Sequence, residues 1–313
     1  MNSLAIKAPV LWTFAGLFIA LIVASSSAML IAGARPQQEY TELRQRIRTW
    51  WIMIGIFSVA MLVNHYVAVV FFAILSFLAL KEYLSLIPTR RADRRVLFWA
   101  YLTIPVHYYW VAIGWYGMFI IFLPVYVFLL LPFRMVLEGE TTGFLRAVGT
   151  LHWGLMITVF SLSHMAFLLV LPEQNNPLAG GLGLVLFLVV LTQFNDVAQY
   201  IWGKTLGKHK IIPKVSPNKT REGFIGGVIT TVVLSLLASG WLTPFNTLAA
   251  LGAGVILGVG GFIGDVVMSA LKRDLGVKDS SNFLPGHGGI LDRLDSLTFT
   301  APLFFHYTYY LYY

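Results

Sequence analysis

Long apolar stretches alternate with short polar connections along almost the whole chain. A membrane-spanning helix needs about 20 apolar residues, and ten stretches have this character. They are predicted at residues 9–34, 50–64, 66–85, 96–113, 115–133, 148–171, 178–202, 223–241, 246–271 and 294–313. The short second stretch meets the third at Asn64-His65, which indicates a tight helical hairpin. The pattern predicts an all-α fold: a polytopic integral membrane helical bundle with about ten transmembrane helices.

Composition excludes several classes of protein. Of the 313 residues, 58% are hydrophobic and 12% are charged, whereas about 25% are charged in a typical soluble domain. Too few polar side chains remain to cover a water-exposed surface. This excludes a soluble enzyme, a disordered protein and a nucleic-acid-binding module. The chain has no cysteine, which also excludes disulfides and thiolate chemistry.

Basic residues are concentrated in alternate loops. Of the 22 Lys and Arg, all but Lys7 and Lys81 lie in the loops after spans one, three, five, seven and nine, as Arg35 and Arg91 do. Basic loops stay on the cytoplasmic side, so these loops are predicted to face the cytoplasm and both termini to lie outside. The net charge of +8 is then mainly a topology signal, and no nucleic acid partner is expected.

The connections between spans are too short to hold a soluble domain, so we predict a single membrane domain over residues 1–313. Residues 1–175 carry few polar groups within their spans and are predicted to be mainly lipid-packing helices. Residues 176–313 form the predicted catalytic half, with cytoplasmic loops at 203–222 and 272–293. The short loops favour a bacterial plasma membrane, with an active site that faces the cytoplasm.

Two carboxylates lie inside apolar spans, where ionisable groups are costly and usually functional. Asp196 and Asp265 lie at similar depths, near the cytoplasmic ends of spans seven and nine. Asp265, Ser269 and Lys272 are spaced i, i+4 and i+7 and therefore share one helix face. We predict that these groups line one cavity. A purely structural Asp–Lys pair at Asp265 is the alternative.

The residues around Asp196 and the loop after span seven add polar groups. Asn195 and Gln199 could instead satisfy Asp196 in a structural network. The loop runs Ser216-Pro217-Asn218-Lys219-Thr220 before span eight begins. A helix N-terminus with lysine nearby is a natural phosphate site. For Lys208, Lys210 and Lys214, a role in topology alone is the favoured interpretation.

The loop after span nine is denser in chemical groups. It contains Lys272-Arg273, Lys278-Asp279, Gly286-His287-Gly288-Gly289 and Asp292-Arg293-Leu294-Asp295. Glycines allow close approach of a ligand, and four cations can neutralise a polyphosphate. Asp292 and Asp295 are spaced i and i+3, and with Asp265 they make an oxygen-ligand set suited to Mg²⁺. This combination predicts metal-assisted phosphoryl or nucleotidyl transfer, with His287 either a base or a hydrogen-bond donor to phosphate.

These motifs resemble those of the phosphatidate cytidylyltransferase family, also called CDP-diglyceride synthases. Residues 269–295 match the family signature position by position: Ser-x-aliphatic-Lys-Arg, Lys-Asp, Pro-x-His-Gly-Gly and Asp-Arg-x-Asp. The resemblance extends upstream through Asn195-Asp196 and residues 216–223, and so covers about residues 190–300. It implies that the chain transfers the cytidylyl group of CTP to phosphatidate, giving CDP-diacylglycerol and pyrophosphate in phospholipid biosynthesis.

The resemblance also implies roles for individual residues. Asp265 and Asp292 are the implied ligands of Mg²⁺. Whether a second, monovalent cation also binds is left open. The implied catalytic residues are Asp265, Asp292, Lys272, Arg273, Lys278, Asp279, His287 and Arg293. The implied substrate-binding residues are Asn195, Asp196, Ser216, Lys219, Thr220, Ser269, Gly288, Gly289 and Asp295. A funnel open to the cytoplasm and to the lipid bilayer, and a homodimer, are expected as well.

One position departs from the family pattern. Many bacterial members have a glutamate before the serine in span nine, where this chain has Met268. A divergent paralogue that acts on another lipid phosphate is therefore one alternative. A non-catalytic transporter or scaffold, with Asp196 and Asp265 on an ion path, is another. The polar groups cluster at the cytoplasmic ends of the spans, which favours the enzyme.

Overall fold

The computed structural model describes residues 7–34, 40–90 and 93–313, so Arg35 and Arg91 lie outside the described residues. Within those ranges the regular structure is helical, apart from two isolated β-bridges. The helices are α1 (Ala8–Ala34), α2 (Thr41–Val63), α3 (His65–Leu86), α4 (Arg94–Ala112), α5 (Tyr116–Val136), α6 (Phe144–Val170), α7 (Gly180–Thr205), α8 (Arg221–Leu242), α9 (Thr247–Asp274), α10 (Leu291–Leu294) and α11 (Leu297–Tyr312). Helices α5 and α6 contain π-helical turns at Phe122–Val127 and Met156–Phe160. The predicted all-α membrane bundle is confirmed.

Each of the ten predicted spans corresponds to one long helix. Eight of the described helices are long and apolar enough to cross a membrane. The other two are α4, which begins with the charged pair Arg94-Arg95, and α11, which has 16 residues. A straight crossing of the hydrocarbon takes about 20 residues. Both helices still bury one side in the bundle, for example at Val96 and Phe304.

The second span is longer than its apolar run. The prediction began at residue 50, whereas α2 begins at Thr41 and has 23 residues. The added turns are mostly exposed, and Glu42 and Arg46 form an ion pair across one turn (2.5 Å), which supports a helix outside the apolar layer. The predicted hairpin at Asn64 is confirmed, since its side chain caps α3 by accepting from Val67 N (2.9 Å).

The loops that follow alternate helices meet at one end of the bundle. Arg90, after α3, donates to Thr142 O (2.7 Å), after α5. Arg273, near the end of α9, donates to Val215 O (3.3 Å), after α7. We call this the basic end, because the loops after α1, α3, α5, α7 and α9 carry nearly all Lys and Arg. The side of the membrane that it faces stays a prediction, as do the positions of the termini.

Glycines bring α9 close to its neighbours, as is common between membrane helices. A Cβ on Gly258 would lie 3.0 Å from Val228 Cα in α8. On another side, a Cβ on Gly264 would lie 3.0 Å from Ser296 Cα, between α10 and α11. Asp265 follows Gly264 directly, so this close packing holds its carboxylate next to the start of α11.

Candidate active site

The face of α9 that carries Asp265 forms one wall of the candidate site. Ser269 Oγ donates to Asp265 Oδ1 (3.3 Å), as the i, i+4 spacing predicts. Asp265 Oδ2 lies 2.5 Å from Lys219 Nζ, which comes from the loop after α7. An Asp–Lys pair therefore exists here. Its lysine is Lys219, which joins the loop after α7 to α9. Lys272, on the same face of α9 as Asp265, contacts another carboxylate.

That carboxylate is Asp292, which accepts four hydrogen bonds. Lys272 Nζ donates to Oδ1 (2.7 Å), while Ser280 N, Ser280 Oγ and Gly289 N donate to Oδ2 (2.8, 2.8 and 2.9 Å). Burial alone raises the pKa of Asp292, but the hydrogen bonds from Lys272 and the backbone outweigh it and hold that pKa below its usual value. Asp292 is therefore ionised at neutral pH and ties the glycine-rich turn, residues 284–289, to α9.

Ser296 connects two further carboxylates. Its Oγ lies 3.0 Å from both carboxylate oxygens of Asp196 in α7, and its backbone N donates to Asp295 Oδ1 (2.8 Å). Asp196, Asp265 and Asp295, which we call the acidic cluster, are close enough for their charges to act on one another. Since like charges repel, the cluster favours nearby cations, and Lys219 is the one in contact with Asp265.

The two amides beside Asp196 contact other groups. Asn195 is buried, accepts from Thr231 Oγ1 in α8 (3.0 Å) and donates to Gly258 O in α9 (3.3 Å). Gln199 Oε1 accepts from Lys219 Nζ (3.1 Å). Asn195 and Gln199 therefore do not form the network expected around Asp196. Asn195 joins three helices, Gln199 orients Lys219, and Asp196 accepts from the hydroxyl of Ser296.

The candidates in the loop after α7 divide into two kinds. Thr220 is buried and caps α8, since its Oγ1 accepts from Gly223 N (3.1 Å). Ser216 is half-buried, and its carbonyl accepts from Lys219 N (3.3 Å). Lys219 alone of these three sends its side chain to the acidic cluster. Thr220 and Ser216 shape the backbone that presents this lysine.

The glycine-rich segment folds into a tight turn. Leu284 N donates to Gly288 O (2.8 Å), and the two residues form an isolated antiparallel bridge. Gly286 and Gly288 have φ values of +77° and +79°, which glycine adopts readily and other residues avoid. His287, between them, packs its ring edge-on against Trp50 of α2 (centroids 5.8 Å apart).

His287 is held in a partly buried, positively charged environment. Thr49 Oγ1 of α2 donates to Pro285 O (2.9 Å), which fixes the start of the turn. Burial, followed by the charge of Arg293, lowers the pKa of His287. The imidazole is therefore neutral at physiological pH. A neutral imidazole can accept a proton or donate a hydrogen bond, so both predicted roles of His287 stay predictions.

The remaining predicted residues are more exposed. Arg273 donates from Nε to the loop after α7, and Lys278 and Asp279 lie on the surface of the basic end. Arg293 is half-buried. The structure thus brings Asp196, Asp265, Ser269, Lys219, Lys272, Asp292 and Asp295 together and places further cations around them.

Glu82 of α3 also reaches this region and was not identified from the sequence. It is 8% exposed, and its Oε2 accepts from Leu291 N (2.7 Å) in α10. The available signal was a carboxylate in the apolar run that forms the end of span three. Because ionisable groups inside apolar spans are usually functional, this position marks Glu82 as a candidate.

Asp265 and Asp292 carry oxygen atoms of the kind that Mg²⁺ binds. Among the described residues, no group of three or more His, Asp or Glu side chains is arranged to hold a metal. Asp265 Oδ1 has one donor, at the long distance of 3.3 Å. Both oxygens of Asp292 are engaged, since three donors hold Oδ2 and Lys272 Nζ donates to Oδ1 (2.7 Å), so a metal at Oδ1 would share this oxygen with Lys272. Mg²⁺ commonly binds one or two carboxylates plus water and substrate phosphates. The two carboxylates match that chemistry, and a magnesium site at Asp265 and Asp292 stays a prediction.

Comparison with known proteins identifies the family. The model of the cytidylyltransferase family matches residues 44–311, which include every predicted site residue. YnbB, an uncharacterized protein of Escherichia coli (strain K12), is 48% identical over 295 residues, or 94% of this chain and 97% of that protein. A phosphatidate cytidylyltransferase of Staphylococcus aureus (strain COL) is 46% identical over 125 residues, and one of Staphylococcus epidermidis (strain ATCC 12228 / FDA PCI 1200) is 44% identical over 124. Each of these two matches covers 39% of this chain and 48% of the relative, so the chain aligns with about half of their length. The resemblance seen in the motifs is confirmed, and the chain belongs to the cytidylyltransferase family.

Proposed function

We propose that this membrane protein transfers the cytidylyl group of CTP to the phosphate of phosphatidate. An oxygen of the lipid phosphate forms a bond to the α-phosphorus of CTP. The bond from that phosphorus to the oxygen that bridges to the β-phosphorus breaks, and pyrophosphate leaves with the electron pair. The products are CDP-diacylglycerol and pyrophosphate. The paired Asp265–Lys219 and Asp292–Lys272 contacts beside the acidic cluster are the observation that carries this proposal.

The protein's main task in such a reaction is to bring two anions together. A phosphomonoester has a second pKa of about 6, so the attacking phosphate is already largely ionised at neutral pH. A strong general base is therefore unnecessary, and positioning with charge neutralisation supplies most of the rate. Lys219 and Lys272 are fixed by carboxylates, which holds their ammonium groups in place. Arg273, Lys278 and Arg293 add positive charge for the phosphates.

We propose Asp265 and Asp292 as the ligands of Mg²⁺, with the remaining positions taken by water and substrate phosphate. Bound there, Mg²⁺ supplies positive charge at the phosphate oxygens. Ser269 then orients Asp265 through its hydrogen bond, and Ser280 and Gly289 orient Asp292. The backbone of the glycine-rich turn approaches the phosphates closely, because Gly288 and Gly289 lack side chains.

The position of the site suits a lipid and a soluble nucleotide. Asp196 and Asp265 of the acidic cluster lie in the halves of α7 and α9 that are nearer the basic end. We propose that this end faces the cytoplasm of a bacterial cell, where CTP is present, and that the lipid enters from the plasma membrane. The homodimer stays a prediction.

A second candidate is cytidylyl transfer to a different lipid phosphate. The matches to phosphatidate cytidylyltransferases cover 39% of the chain, whereas the match to YnbB covers 94%. The part of the chain outside the shorter matches can therefore select a different lipid. Met268, at the position of the family glutamate, is 1% exposed and adds to the difference.

Label transfer tests both candidates. Purified protein would receive CTP labelled at the α-phosphorus, Mg²⁺, and either phosphatidate or a prenyl phosphate, and label would be counted in the organic phase. Asp265→Asn and Asp292→Asn are expected to lower transfer by about 100-fold or more. Asp274→Asn is the matched control, since this exposed acid lies near the end of α9 but outside the site. Label with the prenyl phosphate alone would select the second candidate. No label with either lipid, from folded protein, would contradict the function.

A further inference from the structure

Glu82 is a buried carboxylate with one oxygen bonded and one oxygen without a hydrogen-bond partner. Its Oε2 accepts from Leu291 N (2.7 Å). Its Oε1 is buried, and none of the described residues donates to it. No described lysine or arginine forms an ion pair with Glu82 either. A buried carboxylate is costly without compensation, so its place at the end of α3 calls for a specific role.

The hydrogen bond to Leu291 has structural consequences because of where it falls. Leu291 is the first residue of α10, and the first N–H groups of a helix have no partner within it. Glu82 supplies that partner from a helix more than 200 positions earlier in the chain. Asp292 is the next residue of α10, so Glu82 fixes the backbone that carries the Asp292 side chain.

Gly289 makes the contact tighter. A Cβ at this position would clash with Glu82 Oε1 and with Ser280 Oγ. Gly289 N also donates to Asp292 Oδ2 (2.9 Å). Two carboxylates therefore hold the backbone of the short segment from Gly289 to Asp292: Glu82 accepts from Leu291 N and Asp292 accepts from Gly289 N. Ser280 holds the Asp292 side of this arrangement, since it donates to Asp292 from N and Oγ.

We propose that Glu82 is a positioning residue, which anchors the segment from Gly289 to Asp292 and thereby aims Asp292 and Lys272 into the active site. It acts through the backbone and does not touch the reacting atoms. This role joins the first half of the chain to the catalytic loop. Its effect on catalysis rests on the proposed function, whereas its effect on the segment does not.

Three substitutions test the anchor. Glu82→Gln keeps an oxygen that can accept from Leu291 N, Glu82→Asp withdraws that oxygen by one methylene, and Glu82→Ala removes it. In the alanine variant, we expect kcat for label transfer to fall about 30-fold and KM for CTP to change by less than about threefold. In the glutamine variant, we expect kcat to stay within about threefold of wild type. The aspartate variant is expected between them. Lys81→Ala, an exposed neighbour, is the matched control.

A second readout does not depend on the reaction. Amide hydrogen exchange in the peptide 284–294 is expected to be about tenfold faster in Glu82→Ala than in wild type, and close to wild type in Glu82→Gln. Peptides from the opposite end of the bundle, such as 170–180, should not change.

The outcomes separate the two proposals. One outcome is that wild type transfers no label, while amide exchange in the peptide 284–294 is faster in Glu82→Ala than in wild type. This would support the anchor and contradict the proposed function. Unchanged exchange and kcat in the alanine variant would overturn the anchor. Loss of kcat in the glutamine variant equal to that in alanine, with normal exchange in both, would show that the charge of Glu82 acts directly and would also overturn it. If Glu82→Ala does not fold, the same two measurements, kcat and exchange in the peptide 284–294, are compared between Glu82→Gln and Glu82→Asp.

Discussion

Replacement of Lys272 by methionine is expected to cost much more activity than stability. Lys272 Nζ and Asp292 Oδ1 are 2.7 Å apart, with side chains 15% and 5% exposed. Removal of one partner from a buried ion pair costs about 3–5 kcal/mol when the other charge is left uncompensated. Asp292 keeps three donors, from Ser280 and Gly289. A loss of about 1–3 kcal/mol, as for one buried hydrogen bond, is therefore expected.

The loss of activity is expected on a larger scale. Removal of a fixed group that stabilises developing charge lowers kcat by about 100- to 1000-fold, or about 2.7–4 kcal/mol. Lys272 lies on the same face of α9 as Asp265, so its ammonium is placed to meet a phosphate bound there. Label transfer from CTP should be measured well below the thermal midpoint of the variant, so that unfolding does not contribute.

The comparison has a control and a refuting result. Lys214→Met removes an exposed lysine of the loop after α7 and is expected to change kcat by less than about twofold. The double variant of Lys272→Met with Asp292→Asn should be less destabilised than the sum of the single variants, because the residues are in contact. A Lys272→Met protein with a lowered thermal midpoint and kcat within about threefold of wild type would show a purely structural pair and refute the reasoning.

Three further predictions concern the cap of α8, the glycine-rich turn and the metal. Thr220→Ala should lower stability by about 1 kcal/mol, seen as a lower thermal midpoint, and an unchanged midpoint would contradict the cap. The pKa of His287 is lower in the folded protein than in the unfolded chain. As the pH falls below about 6.5, the unfolded chain therefore binds more protons than the folded protein, and the free energy of unfolding decreases. Wild type should therefore lose more stability than His287→Gln between pH 7 and pH 5 in thermal melts, and equal losses would contradict this. Removal of Mg²⁺ by a chelator should abolish label transfer, and added Mg²⁺ with CTP should raise the thermal midpoint of wild type but not of Asp265→Asn.

Much of the fold and part of the site could be predicted from the sequence. Apolar stretches of membrane length identify helices well, because every backbone group in lipid must be satisfied within the segment. Helical spacing likewise placed Ser269 one turn from Asp265, and the structure shows their hydrogen bond. The start of α2 was missed because hydropathy reports the apolar layer, whereas the helix continues through exposed, ion-paired turns.

Contacts between distant segments could not be predicted. Spacing along α9 placed Asp265 and Lys272 on one helix face, but the lysine that pairs with Asp265 is Lys219, from the loop after α7. Thr220 was interpreted as a binding hydroxyl, and it caps α8. Glu82 bonds to a residue far along the chain. Such pairings depend on how the helices pack, and no local periodicity in one sequence encodes them.

The position of the label in CTP tests the central claim most directly. Parallel reactions would use CTP labelled at the α-phosphorus or at the γ-phosphorus, with phosphatidate and Mg²⁺, and both phases would be counted. Cytidylyl transfer predicts that the α-label enters the lipid and the γ-label stays in water as pyrophosphate. Entry of the γ-label into lipid, or absence of the α-label from lipid with folded protein, would contradict the account.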